Sequence, residues 1–241
     1  MNEMIPHDPN QKDRAAVGFA LVFPTLVTWV YFVWLSGHSP GVQQASYSVG
    51  KLIQFAFPVV WAFVVQRQLR RWPRPRAAGL ASGAGFGVVV VAAMLLLYHA
   101  YLKPAGFFAN ASDAVNEKVK GFGVDSLAKY AALGIFYSAC HSFLEEYYWR
   151  WFVFAQLRRL ASLNTAIVVS SLGFMAHHVL VLATFFGWES PATYLFSISI
   201  AVGGACWAWL YDRTDSIYGP WLSHLLVDAG IFVIGYDLLK L

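Results

Sequence analysis

Apolar residues in this chain fall into long runs, not into alternating positions. After a polar start, MNEMIPHDPNQKDR, an apolar stretch of 21 residues runs from Ala15 to Leu35. Further runs follow near Tyr47–Val65, Ala77–Tyr101, Tyr130–Ala155, Thr165–Phe186, Tyr194–Tyr211 and Ile217–Tyr236. Each is close to the roughly 20 residues a helix needs to cross about 30 Å of hydrocarbon. A transmembrane barrel would instead alternate apolar and polar positions along each strand. The pattern predicts an all-α, polytopic transmembrane helical bundle of about seven spans, with room for an eighth, in one integral membrane domain over residues 1–241. The first run is longer than a signal-peptide core of roughly 7–15 residues and ends in Trp34 and Leu35, so it reads as a retained span.

Several runs carry irregularities. The second contains Lys51 and Gln54. Lys51 falls near the predicted start of its span, where its ammonium is expected to snorkel to the interface. The fourth, about 26 residues long, should tilt or project beyond the membrane. The third holds Gly79, Gly83 and Gly87 at four-residue spacing, a stripe that lets helix backbones approach, within one chain or across a dimer. Between Lys103 and Lys129 lies the longest polar stretch, in which DAVNEKVK reads as a short amphipathic helix.

Composition agrees with this pattern. Of 241 residues 58% are hydrophobic and 12% charged, where a soluble domain has about a quarter charged. A soluble enzyme, a disordered chain and a disulfide scaffold are excluded; Cys140 and Cys206 both lie in apolar runs. The net charge of +4 does not point to nucleic acid, because five of the 17 basic residues cluster in QRQLRRWPRPR between two spans. Such a cluster marks a cytoplasmic loop. With the N-terminus inside, ten Lys and Arg fall on the cytoplasmic side and five, Lys103, Lys118, Lys120, Lys129 and Lys240, on the other. The expectation is an N-in protein of a prokaryotic cytoplasmic membrane, surrounded by membrane lipids, with no nucleic-acid partner and its oligomeric state open.

Three acids fall inside spans: Glu145, Glu146 and Asp228. Four histidines accompany them: His141, His177, His178 and His224. A charge at mid-membrane costs roughly 2.5–3.5 kcal/mol on insertion scales, so ionisable groups kept in three helices should meet in one hydrated interior site. In FLEEYYWRWF, Glu146 can pair with Arg150 and Glu145 shares a face with His141, each four residues apart. Taken alone, this is also what a buried ion pair beside an aromatic belt looks like. In SLGFMAHHVL, His178 follows Phe174 by one turn. His177 and His178 point in different directions, so at most one is expected to face a given site. In IYGPWLSHLLVDAG, His224 and Asp228 lie four apart, a carboxylate-supported histidine or a structural pair. Counted from the cytoplasmic ends at 1.5 Å per residue, Glu145 lies roughly 15 Å deep, His178 roughly 20 Å and His224 roughly 6–10 Å, so one cavity can hold all three.

Together the three groups resemble the CPBP family of intramembrane endopeptidases, which includes the CAAX prenyl endopeptidases. That family shows E-E-x-x-x-R, then F-x-x-x-H, then H-x-x-x-N or a close variant. Here these are Glu145-Glu146-Tyr147-Tyr148-Trp149-Arg150, Phe174 to His178, and His224 to Asp228. The resemblance covers residues 130–235, the expected catalytic core. It implies that Glu145 and His178 activate water, that His224 and Asp228 serve the oxyanion side, and that Glu146 with Arg150 holds the helix and tunes Glu145. Asp228 replaces the more usual asparagine. An ionised carboxylate cannot donate a hydrogen bond, so Asp228 is either protonated or orients His224 and leaves the donor role to the imidazole, and the second is the expectation. The implied reaction is hydrolysis of a peptide bond in a hydrophobic, membrane-associated or lipidated protein or peptide, with no cofactor required. Zinc held by Glu145, His178 and His224 is the alternative, although no H-E-x-x-H is present. Two other classes stay open: a proton-coupled transporter with a Glu–His relay, and a non-catalytic membrane scaffold or immunity protein on the same fold. Inverted repeats or discontinuous helices would favour the transporter, and the sequence has neither.

Overall fold

Short polar breaks set the helix ends. Ser39 precedes Pro40, whose fixed φ suits the first helical turn. Ser126, Ser162 and Ser190 each accept a hydrogen bond from a backbone N–H of the first turn that follows. Gly187, at φ +87°, and Asp215, at φ +46°, end the helices that Ser162 and Ser190 open, in conformations a helix cannot continue.

This computed structural model describes residues 11–67, 72–121 and 123–239. Arg70, Arg71 and Lys240 of the charge count above lie outside the described residues. Those described form α1 (Gln11–Trp34), α2 (Pro40–Val65), α3 (Ala77–Leu102), α4 (Ala109–Gly121), α5 (127–160), α6 (Leu163–Phe186), α7 (Pro191–Thr214) and α8 (Tyr218–Leu238). No strand occurs among them. The short helix expected between Lys103 and Lys129 is α4. Six helices are long and apolar enough to cross a membrane: α1, α2, α3, α6, α7 and α8. The remaining predicted span is α5, whose middle carries Glu145, Glu146 and Arg150.

The outside of the bundle is apolar. Leu52, Leu96 and Ile135 are each about 70% exposed, an arrangement that suits lipid and not water. The interior centres on α5, in which every residue from Tyr147 to Phe154 is buried. That stretch and the one from Phe136 to His141 are wound with the wider i→i+5 bonding, a distortion frequent at functional sites. Between them lies Ser142–Glu146, packed against α8.

Hydrogen bonds fix the two ends of the bundle. At the basic end, Gln66 Nε2 donates to Asp13 Oδ1 (3.0 Å) and Gln156 Oε1 (3.2 Å), and Arg158 Nε donates to Asp212 Oδ1 (3.0 Å). At the other end, Tyr98 Oη and Lys103 Nζ donate to Asp237 Oδ2, at 2.7 and 2.6 Å, and Ser112 Oγ to the Leu238 carbonyl at 3.1 Å. The helices therefore alternate in direction as the loop charges predicted.

Two sequence expectations resolve here. The glycine stripe of α3 packs inside the chain against α8: a Cβ on Gly83 would strike the Gly219 carbonyl, and one on Gly87 would lie 3.0 Å from Ser223 Cα. Lys51 lies deeper in its helix than the expected margin. Because Pro40 starts α2 about two turns before the expected Tyr47, Lys51 lies near the middle of a helix of 26 residues. That is roughly 16 Å from one end and roughly 21 Å from the other at 1.5 Å per residue.

Candidate active site

Three helices bring their ionisable side chains to one place. From α5, Glu145 and Glu146 diverge by about 100°, as consecutive helical residues must, and each meets different partners. Glu145 is buried among imidazoles. His177 Nε2 lies 3.6 Å from its Oε1, while His224 Nε2 and His141 Nδ1 lie 3.7 and 3.9 Å from its Oε2. All three distances exceed an ordinary hydrogen bond. The carboxylate is surrounded without being bonded.

Glu146 is bonded. His224 Nδ1–H donates to its Oε1 at 2.9 Å, and Arg150 Nε forms an ion pair with its Oε2 at 3.1 Å whose angles fall short of a hydrogen bond. The Arg150 guanidinium lies over the rings of Phe174 (4.9 Å) and Trp207 (5.2 Å) and donates to the Gly204 carbonyl (3.3 Å). Aromatic faces thus stand where water would solvate this cation elsewhere.

The structure changes the expected partner of His224. Asp228 Oδ1 lies 3.6 Å from His224 Nε2, so the carboxylate that bonds and orients this imidazole is Glu146. Four-residue spacing puts His224 and Asp228 on one face of α8, but α5 passes close enough for Glu146 to reach the other ring nitrogen.

On α6, His178 Nδ1–H donates to the Phe174 carbonyl at 2.9 Å. A neutral ring bonded in this way keeps Nε2 as an acceptor. The expectation that only one of His177 and His178 faces the site is corrected. Their ring centroids are 4.1 Å apart, and ligand atoms of Glu145, His177 and His178 all lie within 4.8 Å of one another. Both long imidazoles swing to the same side of α6 despite their divergent Cα–Cβ bonds. Among the described residues, the group able to hold a metal is therefore Glu145, His177 and His178, with His224 outside it.

Residues 126–230 match the family model described as type II CAAX prenyl endopeptidase, Rce1-like. This stretch is an Rce1-like domain. It opens at Ser126, the cap of α5, and includes Glu145, Glu146, His178, His224 and Asp228 together with His141, which spacing places on the face of Glu145, and His177, which spacing did not single out. No curated protein and no solved structure matches the chain.

Within the Rce1-like domain, Trp207 of α7 also escapes motif reading. Its ring stacks on His224 at 4.2 Å and 17°, and its Nε1–H donates to Ser223 Oγ at 2.9 Å. Nothing in the sequence around Trp207 separates it from the other interfacial aromatics. Outside the domain, Trp72 covers the cluster from the basic end. Its ring packs on Tyr147 (6.2 Å) and Trp151 (5.9 Å), and its Nε1–H donates to Tyr218 Oη at 3.1 Å.

Proposed function

We propose that this protein is an intramembrane endopeptidase that hydrolyses a peptide bond of a hydrophobic or lipidated, membrane-associated substrate. The observation that carries the reading is Glu145: a buried carboxylate within 3.9 Å of three imidazoles and hydrogen-bonded to none of them. A structural carboxylate in such a place would be tied down. An unbonded one has a free lone pair for a water molecule.

In this mechanism Glu145, with His178 Nε2 beside it, takes a proton from water as the oxygen attacks the carbonyl carbon. The oxyanion that forms accepts a hydrogen bond from Nε2–H of His224 in its imidazolium form, in which Nδ1–H still donates to Glu146, an interaction worth about 10²–10³ in rate at comparable sites. The proton held at Glu145 passes to the leaving nitrogen as the C–N bond breaks, giving one carboxylic acid and one amine. Glu146 orients His224 through Nδ1, and Arg150 balances the charge of Glu146. Asp228 steadies the Nε2 side of His224. We assign the basic end to the cytoplasm and the chain to a prokaryotic cytoplasmic membrane, on the loop charges.

A second reading has one specific observation in its favour. Glu145, His177 and His178 could hold zinc, which would supply Lewis-acid activation of water. The ligand atoms would need to draw together from within 4.8 Å to roughly the 3.3 Å that tetrahedral bonds of about 2.0–2.1 Å impose.

The test is peptide-bond cleavage of a farnesyl-cysteine peptide by wild type, Glu145→Ala and His178→Ala, with and without a chelator. Glu145→Ala should lose at least about 100-fold in rate, a typical general-base contribution. Full activity in Glu145→Ala sinks the mechanism. Chelator-sensitive cleavage restored by zinc promotes the metal reading, and proton flux in liposomes without proteolysis promotes a transporter.

A further inference from the structure

A cavity of about 840 Å³ opens at the basic end of the bundle, apart from the ionisable cluster of the candidate active site. Its walls are the segment from Trp72 to Arg76, with Tyr211 near the end of α7 and Asp215 just beyond it. Trp72 and Arg74 each precede a proline, which biases both to extended backbone. Arg76 is extended too, at φ −123° and ψ 126°. Two residues of such a chain span roughly 7 Å, so the side chains of Arg74 and Arg76 start close enough to grip one small anion from two points. Pro73 and Pro75 fix φ in this segment and leave it two backbone donors short.

The charges of this cavity are unspent. Arg74, Arg76 and Asp215 are exposed, and among the described residues no ion pair joins Asp215 to either arginine. The backbone fixes where Asp215 stands: its φ of +46° ends α7, and its N–H donates to the Tyr211 carbonyl. Two guanidinium groups and one carboxylate thus line one space without neutralising each other. The rings of Trp72 and Tyr211 flank them, as aromatic residues do at a membrane–water interface. The cavity adjoins the start of α3, the least buried of the six spans. That puts it at the lipid edge of the bundle, at the depth of the headgroups.

We infer that this cavity binds the headgroup of a phospholipid that carries a phosphate and a primary ammonium, as phosphatidylethanolamine does. Arg74 and Arg76 take the phosphate, to which forked guanidinium groups donate in pairs. Asp215 accepts from the ammonium. A headgroup of net negative charge would leave Asp215 facing an anion, and a trimethylated one offers it no N–H. The cavity is tied to the candidate active site through Trp72, whose ring packs on Tyr147 and Trp151 and whose Nε1–H donates to Tyr218 Oη. A bound headgroup therefore steadies the residue that covers the ionisable cluster from the basic end. This binding needs no substrate and is measured whether or not the protein cleaves peptides.

The experiment titrates the purified full chain in detergent micelles with phosphatidylethanolamine, phosphatidylcholine or phosphatidylglycerol and counts bound lipid by native mass spectrometry. Wild type should hold one phosphatidylethanolamine at least about tenfold more tightly than either of the others, the effect of one charge-assisted hydrogen bond. Asp215→Asn, whose side chain tolerates the left-handed backbone there, should bring phosphatidylethanolamine down to the level of phosphatidylcholine. Arg74→Gln with Arg76→Gln should weaken all three lipids about tenfold, because all three carry the phosphate. Arg14→Gln with Arg213→Gln removes two charges from the same end outside the cavity and should change nothing. Equal binding of phosphatidylethanolamine and phosphatidylcholine, or a preference for phosphatidylglycerol, overturns the inference. So does a preference that survives Asp215→Asn, or an equal loss from the two arginine pairs. Displacement of the lipid by an equal concentration of phosphoethanolamine also overturns it, because the ligand is then a soluble phosphate ester. Asp215→Asn, an exposed change, keeps the test decisive even if the Arg74 and Arg76 variant fails to fold.

Discussion

Helix α8 meets its two main neighbours by two different kinds of contact. Toward α3 it offers Gly219, Ser223 and Gly230, which lie against Gly83, Gly87, Val91 and Met94. Toward α5 it offers His224 and Asp228. In lipid no hydrophobic force separates helices from their surroundings, so association relies on close packing or on polar bonds. The α3 side uses the first and is defined by missing side chains. The α5 side uses the second and carries groups that are costly to keep in a membrane. Close packing alone explains the first contact. The second needs a function to explain its cost, which is why the ionisable groups locate the chemistry and the glycines do not.

The largest expected effect comes from breaking the polar side of that contrast. Arg150→Met leaves the Glu146 carboxylate buried without its counter-ion, and removing one member of a buried pair costs about 3–5 kcal/mol. Unfolding in a mild detergent should show a loss of that size. The double variant Glu146→Gln with Arg150→Met removes both charges and should recover most of the stability while cleavage stays impaired, because His224 then lacks its ionised partner. A double variant as unstable as Arg150→Met alone would mean that the ion pair is not what holds α5 in place.

The packed side should respond to volume alone. Gly83→Ala drives a methyl group into the Gly219 backbone, and Gly85→Ala, two residues along, meets nothing within 4 Å. Overpacking of this kind costs about 1–3 kcal/mol, whereas an unhindered glycine in a helix interior gains about 0.5–1 kcal/mol on becoming alanine. Opposite signs from two substitutions within one turn, read as shifts of the same unfolding transition, would establish that the stripe is a helix contact. Equal effects would return it to a propensity difference.

Much of this was legible in the sequence because membrane spans depend on long, local patterns. The seven runs and the short polar helix became α1 to α8 with ends displaced by a few residues, and the early start of α2 moved Lys51 from an expected margin to the middle. The candidate site was legible where identity and spacing coincide, at Glu145, Glu146, Arg150 and His178. It was less legible where contact depends on how helices turn toward each other. Four-residue spacing joined His224 to Asp228, but the stronger bond crosses from Glu146 on another helix. His177 was set aside on the direction of its Cα–Cβ bond, although an imidazole reaches far enough to undo that divergence. Trp207 and Lys51 belong to no motif, and only the assembled bundle brings them near the carboxylates.

The smallest effect sharpens the contrast by moving a similar pair into water. Asp125, just before α5, and Lys129, in its first turn, lie four residues apart like Glu146 and Arg150 and approach to 2.9 Å, but both side chains are more than half exposed. The hydrogen bond from Lys129, aided by its charge, holds the Asp125 carboxyl below its ordinary range. A folded-state pKa lowered in this way contributes stability that is present above the unfolded value of about 3.9 and disappears as pH falls through the folded one. Asp125→Asn should therefore leave the unfolding midpoint almost unchanged at neutral pH, and any small difference from wild type should shrink as pH falls below the unfolded value and vanish at about 1 M salt, where screening acts within roughly 3 Å. The loss in Arg150→Met should persist at that salt, because ions do not enter a site buried between α5, α6 and α7. A loss that fell with salt in both variants would mean that water reaches Glu146. The pair that orients His224 would then be a solvated one.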